Sequence, residues 1–303
     1  MRAEHITTTE NWDRLDRFLS HHFTDKSRTY LQKLIADGCV MVDGQPARAS
    51  ARLQPGSTIS ITWPEIVSMD IQAEDIPLDI IYEDEWLVVV NKPQGMVVHP
   101  AAGHHEGTLV HALLHHCAGQ LSDLNGVIRP GIIHRIDKDT SGLLLAVKDN
   151  QVHRHMAEQI RSHSVERIYQ AVVHGFVDSE EGTIEAPVGR DPRHRQRMAV
   201  VGSGKPAVTH FRVLERFEKA TFVEAKLQTG RTHQIRVHFR YVGHPLVGDP
   251  VYAPGRKNWG LKGQALHAGQ LSFQHPVLDR PMTFTAPRPD YFDELLEKMR
   301  SGY

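Results

Sequence analysis

The stretch Gly131-Ile132-Ile133-His134-Arg135-Ile136-Asp137-Lys138-Asp139-Thr140-Ser141-Gly142 sets cations and two carboxylates between an apolar pair and the apolar run Leu143 to Val147. The pattern predicts a buried strand, a tight turn and a second buried segment, with charge held at the edge of a core. Charged groups are seldom placed there without a partner or a chemical task. A carboxylate so placed can serve as a nucleophile or a base. The plainer reading makes Asp137 a turn carboxylate that accepts backbone N–H groups, and Asp139 reads as a turn cap. The two together do not read as a hydrolytic pair. A glycosidase sets its carboxyls across the scissile bond, about 5 Å or more apart, and one turn is a poor way to fix that spacing.

Two other patterns suggest chemistry and fail on inspection. His111 and His115 have the i, i+4 spacing of a helical metal pair, in a chain with 21 histidines. The intervening Ala112, Leu113 and Leu114 supply no carboxylate base, and no Cys or acid lies in ligand register, so no metal site is expected. The helix is instead expected to carry polar histidines on its exposed face. Gly202-Ser203-Gly204-Lys205 looks like part of a phosphate loop, but Pro206 stands where Ser or Thr is required and the first glycine is missing.

The elements that must position these residues can be read from periodicity. At 303 residues the chain can bury roughly three quarters of its unfolded surface, enough for two domains or one large and one small. Residues 14–63 read as a small unit. Leu15, Phe18 and Leu19 have helical spacing, and Ser27 is a plausible N-cap for a second helix with Tyr30, Leu31, Leu34 and Ile35 as its apolar face. Gly38 ends that helix, Val40–Val42 runs into an Asp43-Gly44 turn, and residues 58–63 alternate as a strand. Residues 64–77 are acidic and aperiodic, a linker. Residues 78–299 hold short strands at 80–82, 87–90, 132–133, 143–147, 169–173, 209–213, 221–227 and 271–273. Helices are predicted at 107–116, 151–162, 233–241 and 291–299. The mixture predicts an α+β fold around a mainly antiparallel sheet.

No apolar run approaches a membrane span, and the amino terminus has no signal-peptide core. Cys39 and Cys117 are the only cysteines and are expected to be reduced thiols in a cytoplasmic protein. The net charge of −1 hides a pattern: residues 65–85 carry eight acids and no Lys or Arg, whereas 151–240 carry fifteen Lys and Arg against ten acids. The sharpest cluster is Arg190, Arg193, Arg195 and Arg197. A local basic stripe of this kind is what a phosphate backbone senses within a Debye length. The alternative is a solvated arginine-rich hairpin.

Four blocks in order, Asn91–Pro100, His134–Gly142, Arg167–Ala171 and Thr229–His238 with Gly243–Asp249, resemble those of the RluA-type pseudouridine synthases, with Ile136 where leucine is usual. The resemblance covers almost all of residues 80–290, and residues 14–63 resemble an S4 RNA-binding domain. It implies an S4 domain followed by a catalytic domain, RNA as the partner and no cofactor, because uridine and pseudouridine are isomers. The combination is most like the subgroup acting on large-subunit (23S) ribosomal RNA, as free RNA or in an assembling 50S particle. A soluble cytoplasmic monomer without membrane contact is expected.

By the same resemblance Asp137 is the essential catalytic residue, acting on the sugar or on the base. A cation must keep it ionised; Arg231 is expected in that place, with Arg236 as runner-up. Tyr169 matches the active-site tyrosine, whose ring can stack on uracil and whose hydroxyl can help remove the proton from carbon 5. Arg135 matches the residue that fills the space left by the flipped nucleotide. Arg14, Arg17, Lys26, Arg28 and Lys33 are candidate phosphate contacts of the S4 helices, and Arg190, Arg193, Arg195 and Arg197 of the hairpin. Two rivals remain: a non-catalytic RNA-binding ribosome-assembly factor, and a metal-dependent hydrolase using the histidine cluster.

Overall fold

Leu15, Phe18 and Leu19 are buried in one core with Leu31, Leu34 and Ile35, so the helical spacings read from the sequence become two packed helices. The computed structural model describes residues 2–24, 26, 28–63, 71–101, 103–124, 129–194 and 197–302. Its contacts divide into two units, residues 1–68 and 69–303.

The first unit holds β1 (Arg2–Thr7), α1 (Leu15–His22), α2 (Arg28–Ala36), β2 (Val40–Val42), β3 (Gln45–Pro46) and β4 (Thr58–Trp63). Its four strands pair antiparallel in the order β1-β4-β2-β3. The sheet thus begins ahead of residue 14. Gly38, at φ +75°, closes α2: its N–H reaches Ile35 O at 3.2 Å and that of Cys39 reaches Leu34 O at 2.9 Å. This paired closure needs a left-handed residue at that point. Asp43 and Gly44, at φ 51° and 75°, make the two-residue turn that the twist of β2 and β3 favours. Tyr30, expected on the apolar face of α2, is 37% exposed. Leu31, Leu34 and Ile35 already fill the inward stripe. Ser27, the expected N-cap, lies outside the described residues.

The second unit is built on a nine-stranded sheet. Its elements are β5 (Ile80–Glu83), β6 (Leu87–Lys92), α3 (Leu109–His116), β7 (Ser141–Val147), α4 (Asn150–Arg161), β8 (Glu166–His174), β9 (Glu181–Glu185), β10 (Val188–Arg190), β11 (Met198–Val200), β12 (Val208–Arg216), β13 (Ala220–Leu227), α5 (Gln234–Tyr241), β14 (Leu266–Gln274), β15 (Pro281–Thr285) and α6 (Asp290–Arg300). The order is β5-β6-β7-β14-β8-β13-β12-β9, with β15 on β14. All pairings are antiparallel except β7 with β14, which meet in parallel at Ser141/His267 and Gly142/Ala268. Val88 and Val90 enter one core, with α3 and α5; Leu87 and Val89 enter another, with α4. Both faces of the sheet centre are therefore covered, which is why β6 and β7 read as unbroken apolar runs.

Three expectations need correction. Ile132-Ile133 is not a strand: Ile132 makes one bridge, to Ala146, before the chain enters the turn. His111 is not on the exposed face of α3 but 3% exposed, its Nδ1 accepting the Thr108 N–H at 3.2 Å in a capping box; His115 and His116 do face outward. The described half of the acidic linker is docked: Glu74 accepts the Gly107 N–H at 3.1 Å and gives its own N–H to His111 O at 3.1 Å. Residues 64–70 lie outside the described set. Among the described residues no helix is long and apolar enough to cross a membrane.

Candidate active site

Asp137 sits on a turn clamped from below by the Asn91–Pro100 block. The Thr140 N–H returns to Asp137 O at 3.1 Å. Lys92, only 1% exposed, gives its three N–H donors to Pro93 O (2.8 Å), Met96 O (2.8 Å) and Lys138 O (3.0 Å). The Gly95 N–H reaches the same Lys138 carbonyl at 2.9 Å, and Gln94 Nε2 reaches Asp139 O at 3.1 Å. Burial pulls the Lys92 ammonium down to about 7. The turn is held through its carbonyls, which leaves the Asp137 carboxylate free to face outward.

Two more contacts fix the turn where it enters β7. His134 Nε2 accepts the Leu145 N–H at 3.1 Å, and burial pushes this imidazole down to about 3, which keeps it neutral and able to accept. Gly142 has φ +109°, and a Cβ there would lie 2.3 Å from Ala268 O. Only glycine can both take that conformation and let β7 approach β14 so closely.

The cation beside Asp137 is Arg236, near the start of α5. Its Nη1 donates to Asp137 Oδ2 at 2.8 Å, while Nε and Nη2 grip the two oxygens of Asp249 at 2.7 and 3.0 Å. Asp249 Oδ1 also accepts the N–H groups of Val251 and Tyr252, each at 2.9 Å. Burial acts to lower the Arg236 pKa, but hydrogen bonding to Asp249 and the charges of both carboxylates outweigh it and raise it. Arg231, expected in this place, does not pair with Asp137. Its Nε donates to Pro206 O at 3.1 Å and its N–H to Gln234 Oε1 at 2.9 Å. It lies in the turn before α5, where its backbone starts the helix, whereas the next turn of the helix aims Arg236 inward.

Tyr169 is buried on β8, paired across the strand with Ala225 on one side and Ala268 on the other. Two alanines leave a slot for its ring. Burial raises its phenol pKa, so the hydroxyl is neutral and the ring is suited to stacking. His233 stands at the N-cap of α5 in the left-handed conformation, φ 56°. Its Nε2 is 3.8 Å from Asp137 Oδ1 and its Nδ1 is 2.8 Å from Tyr252 Oη, which accepts the Met198 N–H at 2.9 Å. The strand β11 of the basic hairpin is thereby linked to Asp137 through Tyr252 and His233.

Asp137, Tyr169, Arg231 and Arg236 line one cleft of about 800 Å³. Among the described residues its lining contains six arginines and a single carboxylate, Asp137. Arg135 is exposed at the rim, its Nη1 3.5 Å from His99 Nε2. Asp139 is not part of the lining.

The RNA-contact candidates lie elsewhere on the two units. Arg190 and Arg193 are exposed on the hairpin, Arg197 is half-buried, and Arg195 lies outside the described residues. In the first unit Arg17, Lys26 and Lys33 are exposed. Arg14 and Arg28 are tied to the fully buried carboxylate of Asp16, at 2.9 and 2.8 Å. Hydrogen bonding from Arg14 holds that carboxyl well below the usual carboxylate range.

Sequence reasoning passed over Asp249, His233, Tyr252, Lys92 and Asp16. A signal existed for the first: an arginine buried in the core requires acceptors for all its donors, and Asp249 is the acid of the Gly243–Asp249 segment.

The chain also resembles known proteins over most of its length. Residues 86–241 match the RNA pseudouridylate synthase family and residues 13–59 the S4 domain. The chain is 52% identical over 299 residues to the uncharacterized RNA pseudouridine synthase YlyB of Bacillus subtilis, covering 98% of both chains. It is 44% identical over 319 residues to ribosomal large subunit pseudouridine synthase D of Zymomonas mobilis, covering 99% of this chain and 98% of that one. The solved structure of human RNA pseudouridylate synthase domain containing 1 shares the fold, with a TM-score of 0.59 at 24% identity over 76% of this chain and 97% of that one. The chain belongs to the RNA pseudouridylate synthase family and is an RNA pseudouridine synthase of α+β fold, with an S4 domain ahead of its catalytic domain.

Proposed function

We propose that this enzyme isomerises specific uridines of large-subunit ribosomal RNA, free or in an assembling 50S particle, with Asp137 as its essential catalytic residue. The observation that carries the reading is the Asp137–Arg236 pair at 2.8 Å, Asp137 being the one carboxylate among the described residues of a cleft that six arginines also line. The name of the Zymomonas mobilis relative supports the choice of RNA.

The reaction breaks the C1′–N1 bond of uridine, turns the base and forms a C1′–C5 bond; C5 loses its proton and N1 gains one. Arg236 holds the Asp137 carboxylate by a hydrogen bond for attack on the ribose or the base. The target nucleotide leaves its stack to reach the cleft, where Tyr169 stacks on uracil. Arg135 fills the space it leaves. Arg190, Arg193, Arg195 and Arg197 of the hairpin, with the S4 residues Arg14, Arg17, Lys26, Arg28 and Lys33, contact phosphates. Arg231 lines the same cleft and acts on the substrate rather than on Asp137. The enzyme works as a cytoplasmic monomer and needs no cofactor.

Tritium release from RNA labelled at carbon 5 of uridine tests this, with excess chelator and with ribosomal and transfer RNA in parallel. Release from ribosomal RNA that vanishes in Asp137→Asn supports the proposal. Release from transfer RNA alone overturns the substrate, and unchanged release by Asp137→Asn overturns the residue.

A further inference from the structure

Arg167 is the one buried guanidinium of the cleft whose charge the mechanism leaves unused. It precedes Tyr169 by two positions on β8, so the two side chains share a face of the strand. Both line the cleft. Arg167 is 7% exposed, and its Nε is sealed from solvent without a hydrogen-bond partner. Its guanidinium forms no ion pair or hydrogen bond among the described residues. Asp137, the carboxylate of the lining, is held by Arg236.

This arrangement is costly for the free protein. A cation taken out of water is normally paired or hydrogen-bonded, and an isolated one is strongly disfavoured. Gly230 borders it: a Cβ there would sit 2.5 Å from Arg167 Nη1, so the glycine leaves open space beside the guanidinium. A buried, unpaired guanidinium lining a cavity is a candidate anion site. Its planar fork suits two oxygens of one phosphate.

We propose that Arg167 binds a phosphate of the target nucleotide, one of the two phosphodiesters flanking the flipped uridine. This rests on the function proposed above and gives the site a second anchor: Tyr169 takes the base, Arg167 the backbone beside it. Asp137 then meets a nucleotide held at both ends. Arg167 is a binding residue that positions the sugar, and it takes no part in bond making.

The test uses the full-length enzyme and a short RNA containing a uridine that the wild type modifies, made in three forms: native, with a neutral methylphosphonate 5′ of that uridine, and with one 3′ of it. Wild type, Arg167→Met and Arg167→Lys are compared by kcat/KM and by RNA affinity. The wild type is expected to lose about 10- to 100-fold in kcat/KM with one neutral linkage, the worth of a hydrogen bond to a charged group. Arg167→Met is expected to lose a similar factor on native RNA and to be indifferent to that same linkage. Arg167→Lys is expected to keep part of the discrimination, and it carries the comparison if Arg167→Met does not fold.

A wild type indifferent to both linkages overturns the proposal. So does a variant whose loss multiplies with that of the neutral linkage, which would make Arg167 a structural cation or a contact to the uracil carbonyls. Failure of the underlying function would show separately, as a wild type that modifies no RNA.

Discussion

Arg236 turns two of its nitrogens to Asp249 and the third to Asp137, so the Asp137 carboxylate is tied through one guanidinium to an acid that lines no part of the cleft. Asp249 is fully buried as a side chain and in turn is fixed by the backbone of Val251 and Tyr252. Asp249→Ala removes one partner of a buried pair, a change that costs about 3–5 kcal/mol where an uncompensated charge remains. Tritium release by this variant is expected to fall at least 100-fold and its urea midpoint to drop. A variant with wild-type midpoint and wild-type rate would show that Arg236 needs no second acid.

Lys92 gives a pH signature. Burial depresses its folded pKa to about 7, below the unfolded value of about 10.4. Between those two values the unfolded chain binds the proton and the folded chain does not, so this group adds stability as pH rises through that window, by up to about 1.4 kcal/mol per pH unit. Below pH 7 both states are protonated and the contribution is flat. Urea unfolding of wild type and Lys92→Met from pH 6 to 10 should show the wild type gaining on the variant only above pH 7. Parallel pH profiles would mean that the three carbonyls around Lys92 keep it charged throughout.

Gly142→Ala is expected to cost about 3 kcal/mol or more, because it adds a side chain at φ +109° and drives a Cβ to 2.3 Å from Ala268 O. Thermal melting measures the loss, and tritium release should fall with it since the Asp137 turn leads directly into this residue. A melting temperature within a degree of wild type would contradict the close approach.

Tyr252 joins the hairpin to His233 through one hydroxyl. Tyr252→Phe leaves the Met198 N–H and His233 Nδ1 without that partner, a loss of about 1–3 kcal/mol. We expect kcat to fall about 10-fold with RNA affinity unchanged. Loss of affinity with kcat intact would place Tyr252 in the hairpin alone.

Asp191 Oδ1 accepts the N–H groups of Arg193 and His194, so the hairpin keeps its shape without the Arg193 side chain. Arg193→Ala should therefore lower the slope of log affinity against log salt by about one. An unchanged slope would remove Arg193 from the phosphate contacts.

Most of this fold was legible because its cores follow two simple periods. Leu15, Phe18 and Leu19 mark a helix by spacing, and Leu143 to Val147 mark a strand buried on both faces. Asp137, Tyr169 and Arg236 could each be placed in the cleft by their blocks. What periodicity could not give was the partner of Asp137. Arg231 and Arg236 stand five apart across the start of α5, and which one faces the cleft depends on where the helix begins, a point set by His233 in its left-handed conformation. Nor could it give Asp16 or Asp249, whose roles come from contacts with residues distant in sequence or phase. The two isoleucines at 132–133 look like a strand in isolation; their neighbours in space decide otherwise.

The closure of β7 onto β14 has a consequence for the order in which the protein acquires its abilities. Ser141 Oγ meets His267 Nδ1 across 126 positions of chain. The segment that follows the Asp137 turn therefore lacks its contacts with β14 until translation has passed those residues. The strands of the first unit, by contrast, all find their partners by Trp63. A nascent chain can thus assemble its S4 fold well before its catalytic centre, since local pairings form ahead of distant ones. The newborn enzyme is equipped to hold RNA before it is equipped to alter it.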